Sequence, residues 1–381
     1  MKKILFITTR NPYSGRFSGD VIGSFKIINF LKKKHKVDVV AIAKKNSKKK
    51  NTKFFKQPNF FLKTLYVVLS LIKIEPLQFG VFFSKQMKDY INKKAKYYDL
   101  LFFYHIRSSQ YIPQIYAGKK IIEMGDLYST NYLQTFYNLN IFNPLKYIYL
   151  LESFLIRRAE RKIFEKFDKV ILFSKEEIKK ISKRFKSKIF NMNLSIKYVQ
   201  KKFSFSKKNN TILFIGNLGY LPNLLAVKDF LVNILPNVKK VIPNIKFYII
   251  GNINKIDKFL LSFDNTTKFL GQQNDIQKYV KNSFCGLANL KIATGVQGKV
   301  LTYMSFGLPV ICSKKVASNF NKNVINYNNN SELIKKIIDL KKNKRLSDKL
   351  SKKSLKFVKN FTEKKISLEY LRIVNFNRKL F

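Results

Sequence analysis

Residues 294–313 have the composition of a loop that holds an anion. Gly295 and Gly298 form a glycine-bearing turn, Lys299 follows in the first turn of a short predicted helix, and Gly307 ends that helix. Free amides and the positive end of the helix dipole at such a position favour a phosphate, to which Lys299 adds a full positive charge. An ordinary loop between two strands, without a ligand, would have the same local pattern. We therefore treat this stretch as a candidate phosphate site.

Other polar residues follow predicted strands in the first half of the chain. His105 and Arg107 come after the strand Leu100–Tyr104, and Asp126 comes after the strand Lys120–Met124. Ligands of parallel sheets bind at the carboxyl ends of the strands, which makes these residues candidates for a site. Structural roles stay open, because a lone histidine after a strand is more often structural than catalytic and Asp126 could cap the next helix.

The elements around these residues alternate between strand and helix in two successive halves. Residues 4–42 read as strand, loop, helix and strand, which is the opening of a doubly wound sheet, and the same alternation restarts at Ile212. We predict two Rossmann-like α/β domains facing a central cleft, over residues 1–190 and 211–360. Residues 191–210, where the pattern weakens into Asn, Ser and Lys, are predicted as the linker.

Charge limits the possible partners. The sequence carries 75 Lys and Arg against 22 Asp and Glu, a formal net charge of +53 spread over 381 residues. Such an excess reflects either an AT-rich genome or attraction to an anionic surface, where each Lys or Arg near acidic lipids contributes about 1 kcal/mol. A nucleic-acid partner would be expected to place the charge in a stripe with exposed aromatics, whereas the Phe and Tyr here fall in periodic, core-like runs.

The hydrophobic stretches predict core elements. The run Ile4–Ile7 ends too early for a signal peptide and is predicted as the first strand. Charges and a proline interrupt Phe60–Phe83 too often for a transmembrane helix. The region Phe54–Lys96 is predicted as helices with one wide apolar face, for which core packing is preferred over docking on a membrane, and both remain open. Cys285 and Cys312 fall in apolar strands and are predicted as reduced core residues.

The second half resembles the nucleotide-sugar domain of family-4 glycosyltransferases of the GT-B fold, especially their bacterial branch for polysaccharides and cell-surface glycans. The matching segments are Phe214–Asn223, Phe247–Gly251, Phe269–Gly271, Gly295–Leu301 and Gly307–Ile311. In the first half, Arg107–Tyr111 and Met124–Ser129 are similar to that branch's acceptor-domain loops. The resemblance covers nearly the whole chain. It implies a GT-B protein with an N-terminal acceptor domain and a C-terminal donor domain, and we expect residues 361–381 to form a helix that packs back toward the first domain.

The resemblance also implies roles for individual residues. Lys299 would stabilise the leaving diphosphate, and Asp126 would orient a sugar hydroxyl or stabilise an oxocarbenium-like transition state, in a loop where many relatives have a histidine. His105 and Arg107 would contact the acceptor. Gly19 would let the first loop approach the phosphates. The residues expected to bind the donor are Gly19, Gly216, Asn217, Tyr220, Gly271, Gln272, Thr294, Gly295, Val296, Gln297, Gly298 and Thr302.

Two threonines depart from the family pattern. The paired-glutamate motif of the family has glutamate at the positions of Thr294 and Thr302, and the second glutamate commonly binds the nucleotide ribose. Threonine can still hydrogen-bond a hydroxyl, but it forgoes the stronger charge-assisted bond. The usual Arg and Lys pair after the first strand of the second domain is also absent, although this branch often lacks it. Either the donor is held mainly by Lys299 and main-chain amides, or activity is reduced or lost.

The leading expectation is a metal-independent, retaining, hexosyltransferase-like enzyme. It would move a sugar from a nucleotide-sugar donor to a lipid-linked or cell-surface polysaccharide acceptor, without a cofactor or a metal; the sequence has no D-x-D motif. We expect a cytoplasmic protein, peripheral on the inner face of an anionic membrane, with no nucleic-acid partner. One alternative is a catalytically impaired GT-B scaffold of glycan assembly. A basic nucleic-acid-binding protein is the third, although the sequence lacks an aromatic RNA-binding signature and a helix-turn-helix.

Overall fold

The computed structural model describes residues 1–15, 18–43, 47–197, 199, 203–262 and 265–376. The chain forms two units: unit 1 contains Met1–Asn193 and the C-terminal segment from Lys364, and unit 2 contains Leu194–Glu363. Parts of two predicted segments lie outside the described residues, namely 198 and 200–202 of the expected linker and 377–381 of the expected C-terminal helix.

Unit 1 is built on a parallel β-sheet. Within the described ranges its strands are β1 (Lys3–Thr8), β2 (Lys36–Ala43), β3 (Thr52–Lys56), β4 (Leu100–Tyr104), β5 (Lys119–Gly125), β6 (Lys169–Leu172) and β7 (Ile189–Asn191). Their order in space is β3-β2-β1-β4-β5-β6-β7, so β1 pairs with β2 on one side and β4 on the other. Ligands of such sheets bind at the carboxyl ends of the strands beside this switch point.

Helices cover both faces of this sheet, which explains why its central strands are apolar throughout. The helices are α1 (Gly19–Lys32), α2 (Phe60–Ile72), α3 (Leu77–Val81), α4 (Lys85–Lys94), α5 (Tyr128–Asn138), α6 (Leu145–Lys166) and α7 (Lys175–Lys179). Every residue of β4 is buried, and so is all of β1 after Lys3. Parallel strands buried on both faces read as continuous hydrophobic runs, which is why both strands were predicted from the sequence.

Unit 2 repeats this architecture on a smaller sheet. In the part of the chain that is described, its strands are β8 (Thr211–Ile215), β9 (Lys246–Ile250), β10 (Thr267–Phe269), β11 (Ser283–Ala288), β12 (Val310–Ser313) and β13 (Ile325–Tyr327), in the order β10-β9-β8-β11-β12-β13. Its helices are α8 (Leu221–Asp229), α9 (Leu235–Val241), α10 (Lys255–Leu261), α11 (Gln277–Lys281), α12 (Gly298–Ser305), α13 (Lys314–Ala317), α14 (Asn330–Lys342) and α15 (Lys344–Val358). The switch point here lies between β8 and β11.

The last helix, α16 (Glu363–Asn375), packs on the sheet of unit 1. The hydroxyl of Tyr370 donates a hydrogen bond to the carboxylate of Glu123 on β5. Two lysines bond the carbonyls of its last turn, because Lys2 Nζ lies 2.8 Å from the Val374 oxygen and Lys169 Nζ lies 2.8 Å from the Ile373 oxygen. Cations at a helix C-terminus satisfy unpaired carbonyls and complement the helix dipole.

The structure differs from the sequence-based boundaries at the predicted linker, residues 191–210. Asn191 completes strand β7, and the segment from Leu194 already belongs to unit 2. Its sparse apolar residues are buried in the core of that unit, where Ile196 N bonds the Phe361 oxygen at 2.9 Å and Phe203 N bonds the Phe306 oxygen at 2.7 Å. This irregular packing leaves no periodic pattern, which is why the stretch read as a linker.

The region Phe54–Lys96 also departs from the preferred prediction. It begins inside the edge strand β3 rather than in a helix. Helix α2, expected to pack in the core, has Ser70 as its one buried residue, and most of its large apolar side chains are exposed. Among the described residues, no helix is both long enough and apolar enough to cross a membrane.

Candidate functional site

The glycine turn of unit 2 connects β11 to helix α12. Gly295 has a φ of +61°, a left-handed conformation that a residue with a side chain adopts only with strain. The turn is fixed from both sides, because the Gly295 oxygen accepts a bond from Asn319 Nδ2 at 2.8 Å and the Thr294 oxygen accepts one from Gln297 Nε2 at 2.8 Å. Gln297 is the N-cap residue of α12, and its side chain makes no capping bond. The first amides of α12 therefore receive no side-chain cap from Gln297.

Helix α12 is anchored to the sheet by Tyr303. The Tyr303 oxygen accepts a bond from the Ile215 amide at 2.6 Å and donates one to the Leu287 oxygen at 3.2 Å, which ties the helix to both β8 and β11. Gly286 on β11 leaves room for the ring, since a Cβ there would lie 2.4 Å from it. This anchoring sets the position of the helix N-terminus.

Lys299 lies in the first turn of α12 and directs its ammonium toward the end of β8. Its Nζ donates to Asn223 Oδ1 at 2.6 Å and lies 4.1 Å from the centre of the Phe214 ring. Burial lowers the pKa of Lys299 to about 7. Its hydrogen-bond partner is a neutral amide, which offsets only part of the cost of burying the charge. An anion at the α12 N-terminus would supply the missing compensation.

Asn223 belongs to this site, although no role was predicted for it. It is buried in the first turn of α8, and its Nδ2 donates to the Asn217 oxygen at 2.8 Å while its Oδ1 holds Lys299. Gly216 makes room for both, because a Cβ there would lie 2.9 Å from Asn223 and 3.0 Å from Lys299 Nζ. The sequence feature that could have identified Asn223 is its position at the end of the Phe214–Asn223 motif, directly after Pro222.

The other residues expected to bind the donor are distributed around this centre. Gly271 has a φ of +65° after β10, and its oxygen accepts a bond from the Gly251 amide at 2.9 Å. Gln272, Tyr220 and Gly298 are exposed, whereas Thr294 is buried. Val296 packs its side chain against the core. The structure thus brings Gly216, Asn217 and Lys299 together through Asn223, and it leaves Tyr220 and Gln272 as exposed positions beyond β8 and β10.

Thr302 lies one helical turn after the glycine turn. Its hydroxyl donates to the Gly298 oxygen at 2.9 Å, within the first turns of α12. Threonine in a helix often makes this bond to the residue four positions earlier. The hydroxyl oxygen still has acceptor capacity, but the side chain carries no charge toward a ligand.

Unit 1 has a polar cluster at the carboxyl end of β4, built around His105 and Arg107. His105 has a φ of +72°, and Arg107 Nε donates to His105 Nδ1 at 3.2 Å. The Tyr128 hydroxyl contacts His105 Nε2. Arg107 is buried, and its guanidinium stacks 4.4 Å from the Phe82 ring. Burial and the neighbouring Arg107 hold the pKa of His105 well below its usual range, so the imidazole is neutral at pH 7.

Asp126 follows β5, and Gly19 follows the loop after β1, so both lie on the carboxyl side of the sheet that also carries His105. Gly19 is the first residue of α1, is exposed, and has open space where a Cβ would be. Asp126 is partly exposed, and it precedes the N-cap residue of α5, which is Leu127. Carboxylates from other elements bond the first amides of α5: Glu177 accepts from Leu127 at 3.3 Å and Glu160 accepts from Ser129 at 3.1 Å. These two acids therefore cap the first turn of α5.

Among the described residues, no group of three or more His, Cys, Asp or Glu side chains could hold a metal ion. Cys285 and Cys312 are free and buried in the core of unit 2, as their sequence context predicted.

The fold and this arrangement define a class of protein. The chain is an α/β protein of the GT-B fold with two Rossmann-like domains. Sucrose-phosphate synthase from Thermosynechococcus elongatus is similar with a TM-score of 0.73 at 12% identity, covering 99% of both chains. HepE from Anabaena, crystallised with UDP and glucose, has a TM-score of 0.68 at 13% identity over 98% of this chain and 100% of that one. WaaG, a glycosyltransferase involved in lipopolysaccharide biosynthesis, has a TM-score of 0.65 at 11% identity over 97% of this chain and 99% of that one.

Sequence comparisons give one family match and one relative. Residues 209–343 match the family model of Glycosyl transferases group 1. An uncharacterized 44.6 kDa protein in the cps region of Klebsiella pneumoniae is 24% identical over 266 residues, which cover 66% of this chain. The match spans 65% of the length of that relative. The predicted fold class and the resemblance to GT-B glycosyltransferases are therefore confirmed at this level.

Proposed function

We propose that this protein transfers a sugar from a nucleotide-sugar donor to a lipid-linked or cell-surface glycan acceptor, as a family-4 enzyme that retains the anomeric configuration. The observation that carries the proposal is the ammonium of Lys299, a half-buried residue in the first turn of α12, which has an amide as its partner and a pKa lowered to about 7. A donor diphosphate at this helix N-terminus would accept bonds from main-chain amides and give Lys299 an anionic partner.

The transfer step needs charge compensation on the leaving nucleotide. As the glycosidic bond breaks, negative charge develops on the diphosphate, and a fixed cation and oriented amides in a desolvated site stabilise it. In this proposal Lys299 and the main chain of Gly295–Lys299 supply that compensation, without a metal ion or a cofactor. Asn223 positions the ammonium, and Gly216 keeps the space for it open.

The remaining donor contacts follow from the positions of the loops. Thr302 and Thr294 would hydrogen-bond the ribose, while Tyr220, Asn217, Gly271 and Gln272 would line the nucleoside. HepE was crystallised with UDP, which makes UDP the first nucleotide to test. In unit 1, Gly19 would approach the phosphates, and Asp126 would orient a hydroxyl of the transferred sugar or stabilise its oxocarbenium character.

For the acceptor, we assign recognition to His105 and Arg107. Arg107 keeps its charge while buried, and its guanidinium plane is held by Phe82. Such a preorganised fork suits an anionic or hydroxyl-rich group on the acceptor. The protein would work in the cytoplasm, on the inner face of the membrane, because a net charge of +53 attracts acidic lipids.

A thermal-shift panel tests the proposal. A ligand that binds only the folded protein stabilises it, so one of UDP, GDP or ADP should raise the melting temperature. Loss of that shift in Lys299→Met, with a melting temperature in the absence of ligand no lower than that of the wild type, would place the nucleotide at α12. The proposal fails if no nucleotide shifts the transition and the protein instead binds RNA in a salt-sensitive manner.

A non-catalytic scaffold is the second candidate, and one observation favours it. Thr302 replaces a charged ribose contact, and its hydroxyl is engaged with the Gly298 carbonyl. A scaffold would bind the nucleotide without consuming a nucleotide sugar. Incubation with UDP-sugars, followed by measurement of UDP release with and without a glycolipid acceptor, separates the two candidates.

A further inference from the structure

Helix α2 presents its apolar side chains to solvent. Phe61 is 81% exposed and Ile72 is 71% exposed, and Leu65 and Val68 lie on the same outward stripe at helical spacing. A surface helix of a globular protein normally turns its apolar stripe to the core. In α2 the inward positions are instead Tyr66 and Ser70.

The inward face nevertheless fixes α2 firmly to unit 1. Gly80 of α3 packs on the α2 backbone so closely that a Cβ there would lie 2.4 Å from the Tyr66 oxygen. The Tyr66 ring packs edge-on against Phe83 at 4.9 Å. Asn59 caps the helix by accepting a bond from the Leu62 amide at 3.0 Å. The outward apolar stripe is therefore displayed by an ordered, capped helix.

A second exposed apolar stretch lies on the connection from α5 to α6. Phe142 at the tip is 91% exposed, and Ile148, Leu151 and Phe154 on α6 are exposed as well. Helix α6 contacts the start of α3, because Glu152 accepts bonds from the Leu77 amide at 2.7 Å and the Gln78 amide at 3.1 Å. Helix α3 follows α2 in the chain and packs on it through Gly80. Exposed apolar surface of this extent marks an interaction site.

The charges within the two apolar stretches have one sign. Residues 51–74 contain four lysines and no acidic residue, and residues 127–151 contain Lys146 and no acidic residue. Glu75 follows the first stretch directly, and Glu152, which follows the second, is buried and bonded to backbone amides. Nothing in either stretch repels an anionic surface, and the lysines attract one.

We propose that the outward face of α2, continued by the α5–α6 connection, inserts into an anionic lipid bilayer with the helix lying parallel to the membrane plane. A helix of 13 residues is too short to span the hydrocarbon core, but it can bury one apolar face at the headgroup boundary. This surface would mediate the membrane association proposed above. It would do so by inserting specific side chains, and not by charge attraction alone.

A bilayer fits this face better than a second copy of the chain does. A symmetric dimer through α2 would bring Lys63 and Lys73 of one copy against the same surface of the other, in a protein of net charge +53. Like charges at such an interface oppose pairing, whereas anionic headgroups neutralise them.

The sequence contains no Trp, which allows a direct test with a single reporter. We would compare Phe61→Trp with Phe259→Trp, whose site on α10 of unit 2 is equally exposed at 82%. With vesicles of phosphatidylcholine and phosphatidylglycerol, the emission of the tryptophan at position 61 should shift to the blue and be quenched by brominated lipid. The emission of the tryptophan at position 259 should stay that of an exposed indole.

A pair of double variants measures the contribution of the face. Phe61→Ser with Ile72→Ser removes two exposed apolar side chains from α2, and Ile256→Ser with Phe259→Ser removes a matched pair from α10. We expect vesicle partitioning at high salt to fall roughly 10-fold or more for the first pair and to be unchanged for the second. Because all four side chains are exposed, the melting temperatures should stay close to that of the wild type.

Three results would overturn the inference. If the protein sediments with anionic vesicles but the tryptophan at position 61 is not quenched, charge alone holds it to the membrane, and the charge-based association stands without insertion. A blue shift that grows with protein concentration in the absence of lipid would identify a second copy as the occupant. Absence of vesicle binding would refute both insertion and charge-driven association, and would leave the proposed transfer reaction to its own nucleotide test.

Discussion

The candidate residues of the two units are held by different physical means. In unit 2 the site depends on the main chain and on one lysine: a left-handed glycine, a helix N-terminus, and Lys299 bonded to a neutral amide. In unit 1 the polar groups satisfy one another, since Arg107 bonds His105 and a hydroxyl of α16 bonds the carboxylate of Glu123. The comparison indicates that a ligand at unit 2 would meet main-chain amides and one lysine, whereas a ligand at unit 1 would meet side chains that already bond one another.

Replacing Lys299 should have the largest effect. Lys299→Met keeps the length and the apolar stem of the side chain, so we expect sugar transfer to fall by about 100- to 1,000-fold while the melting temperature stays the same or rises. Steady-state kinetics and thermal unfolding of the same preparation measure both quantities. Lys335→Met, at an exposed position of α14, is the matched control and should alter neither. Unchanged turnover in Lys299→Met would remove this lysine from the mechanism.

The free energy of unfolding should depend on pH in opposite directions for one buried group in each unit, Glu123 in unit 1 and Lys299 in unit 2. Burial raises the pKa of Glu123 to about 8, so the folded protein keeps this proton up to that pH, whereas the unfolded chain loses it near pH 4.5. The contribution of Glu123 to the unfolding free energy therefore falls as the pH rises from about 4.5 to 8. We expect Glu123→Gln to remove this loss, on the order of 2–4 kcal/mol, because the amide still accepts the Tyr370 bond.

The contribution of Lys299 to the unfolding free energy should change with pH in the opposite direction. Its folded pKa of about 7 lies below that of the unfolded chain, so its contribution to stability rises with pH between about 7 and 10. Urea unfolding of the wild type, Glu123→Gln and Lys299→Met across this range measures both slopes. Parallel pH profiles for Glu123→Gln and the wild type would show that the Glu123 proton is not held by the fold.

Arg107 should affect the acceptor and not the donor. Arg107→Lys keeps the charge but cannot both stack on Phe82 and bond His105, so we expect the KM for the acceptor to rise roughly 10-fold. The affinity for the nucleotide, measured by titration, should be unchanged. An equal loss of nucleotide affinity would contradict the division of roles between the two units.

Replacing Thr302 should have the smallest effect, and it should raise the affinity for the nucleotide. Thr302→Glu supplies a carboxylate for a ribose hydroxyl, and the charge-assisted bond should raise nucleotide affinity by roughly 3- to 10-fold. Thr302→Gln, which has the same shape without the charge, should raise it less. If Thr302→Glu leaves the affinity unchanged or lowers it, the ribose does not lie beside this residue.

The glycine turn was predictable from the sequence because its signals are local. Gly295, Lys299 and Gly307 lie within a few residues of one another, and each determines the backbone near it. Asn223 was not predictable as the partner of Lys299, because the contact spans 76 residues and depends on β8 lying beside β11 in the sheet. The capping of α5 by Glu160 and Glu177 has the same origin, since both acids come from other helices.

The errors in the fold prediction have a related cause. Strands β3 and β7 are short edge strands of mixed polarity, so they carry neither the continuous apolar run nor the strict alternation by which strands are recognised. For α2, core packing was the preferred prediction, because a wide apolar face ordinarily packs in a core. Its direction is fixed by Tyr66 and Gly80, a contact between two helices that the spacing of apolar residues in α2 does not reveal.

Proton-linked calorimetry of nucleotide binding tests the central claim most directly. Near pH 8 the lowered pKa of Lys299 leaves it mostly neutral in the free protein, and a bound diphosphate should restore its charge. Titration of the wild type with UDP, in two buffers of different ionisation enthalpy, should therefore show uptake of about one proton per nucleotide. Lys299→Met should show no uptake and at least roughly 10-fold weaker binding. Equal affinity in the two proteins, or binding to the wild type without proton uptake, would contradict the assignment of the donor diphosphate to Lys299.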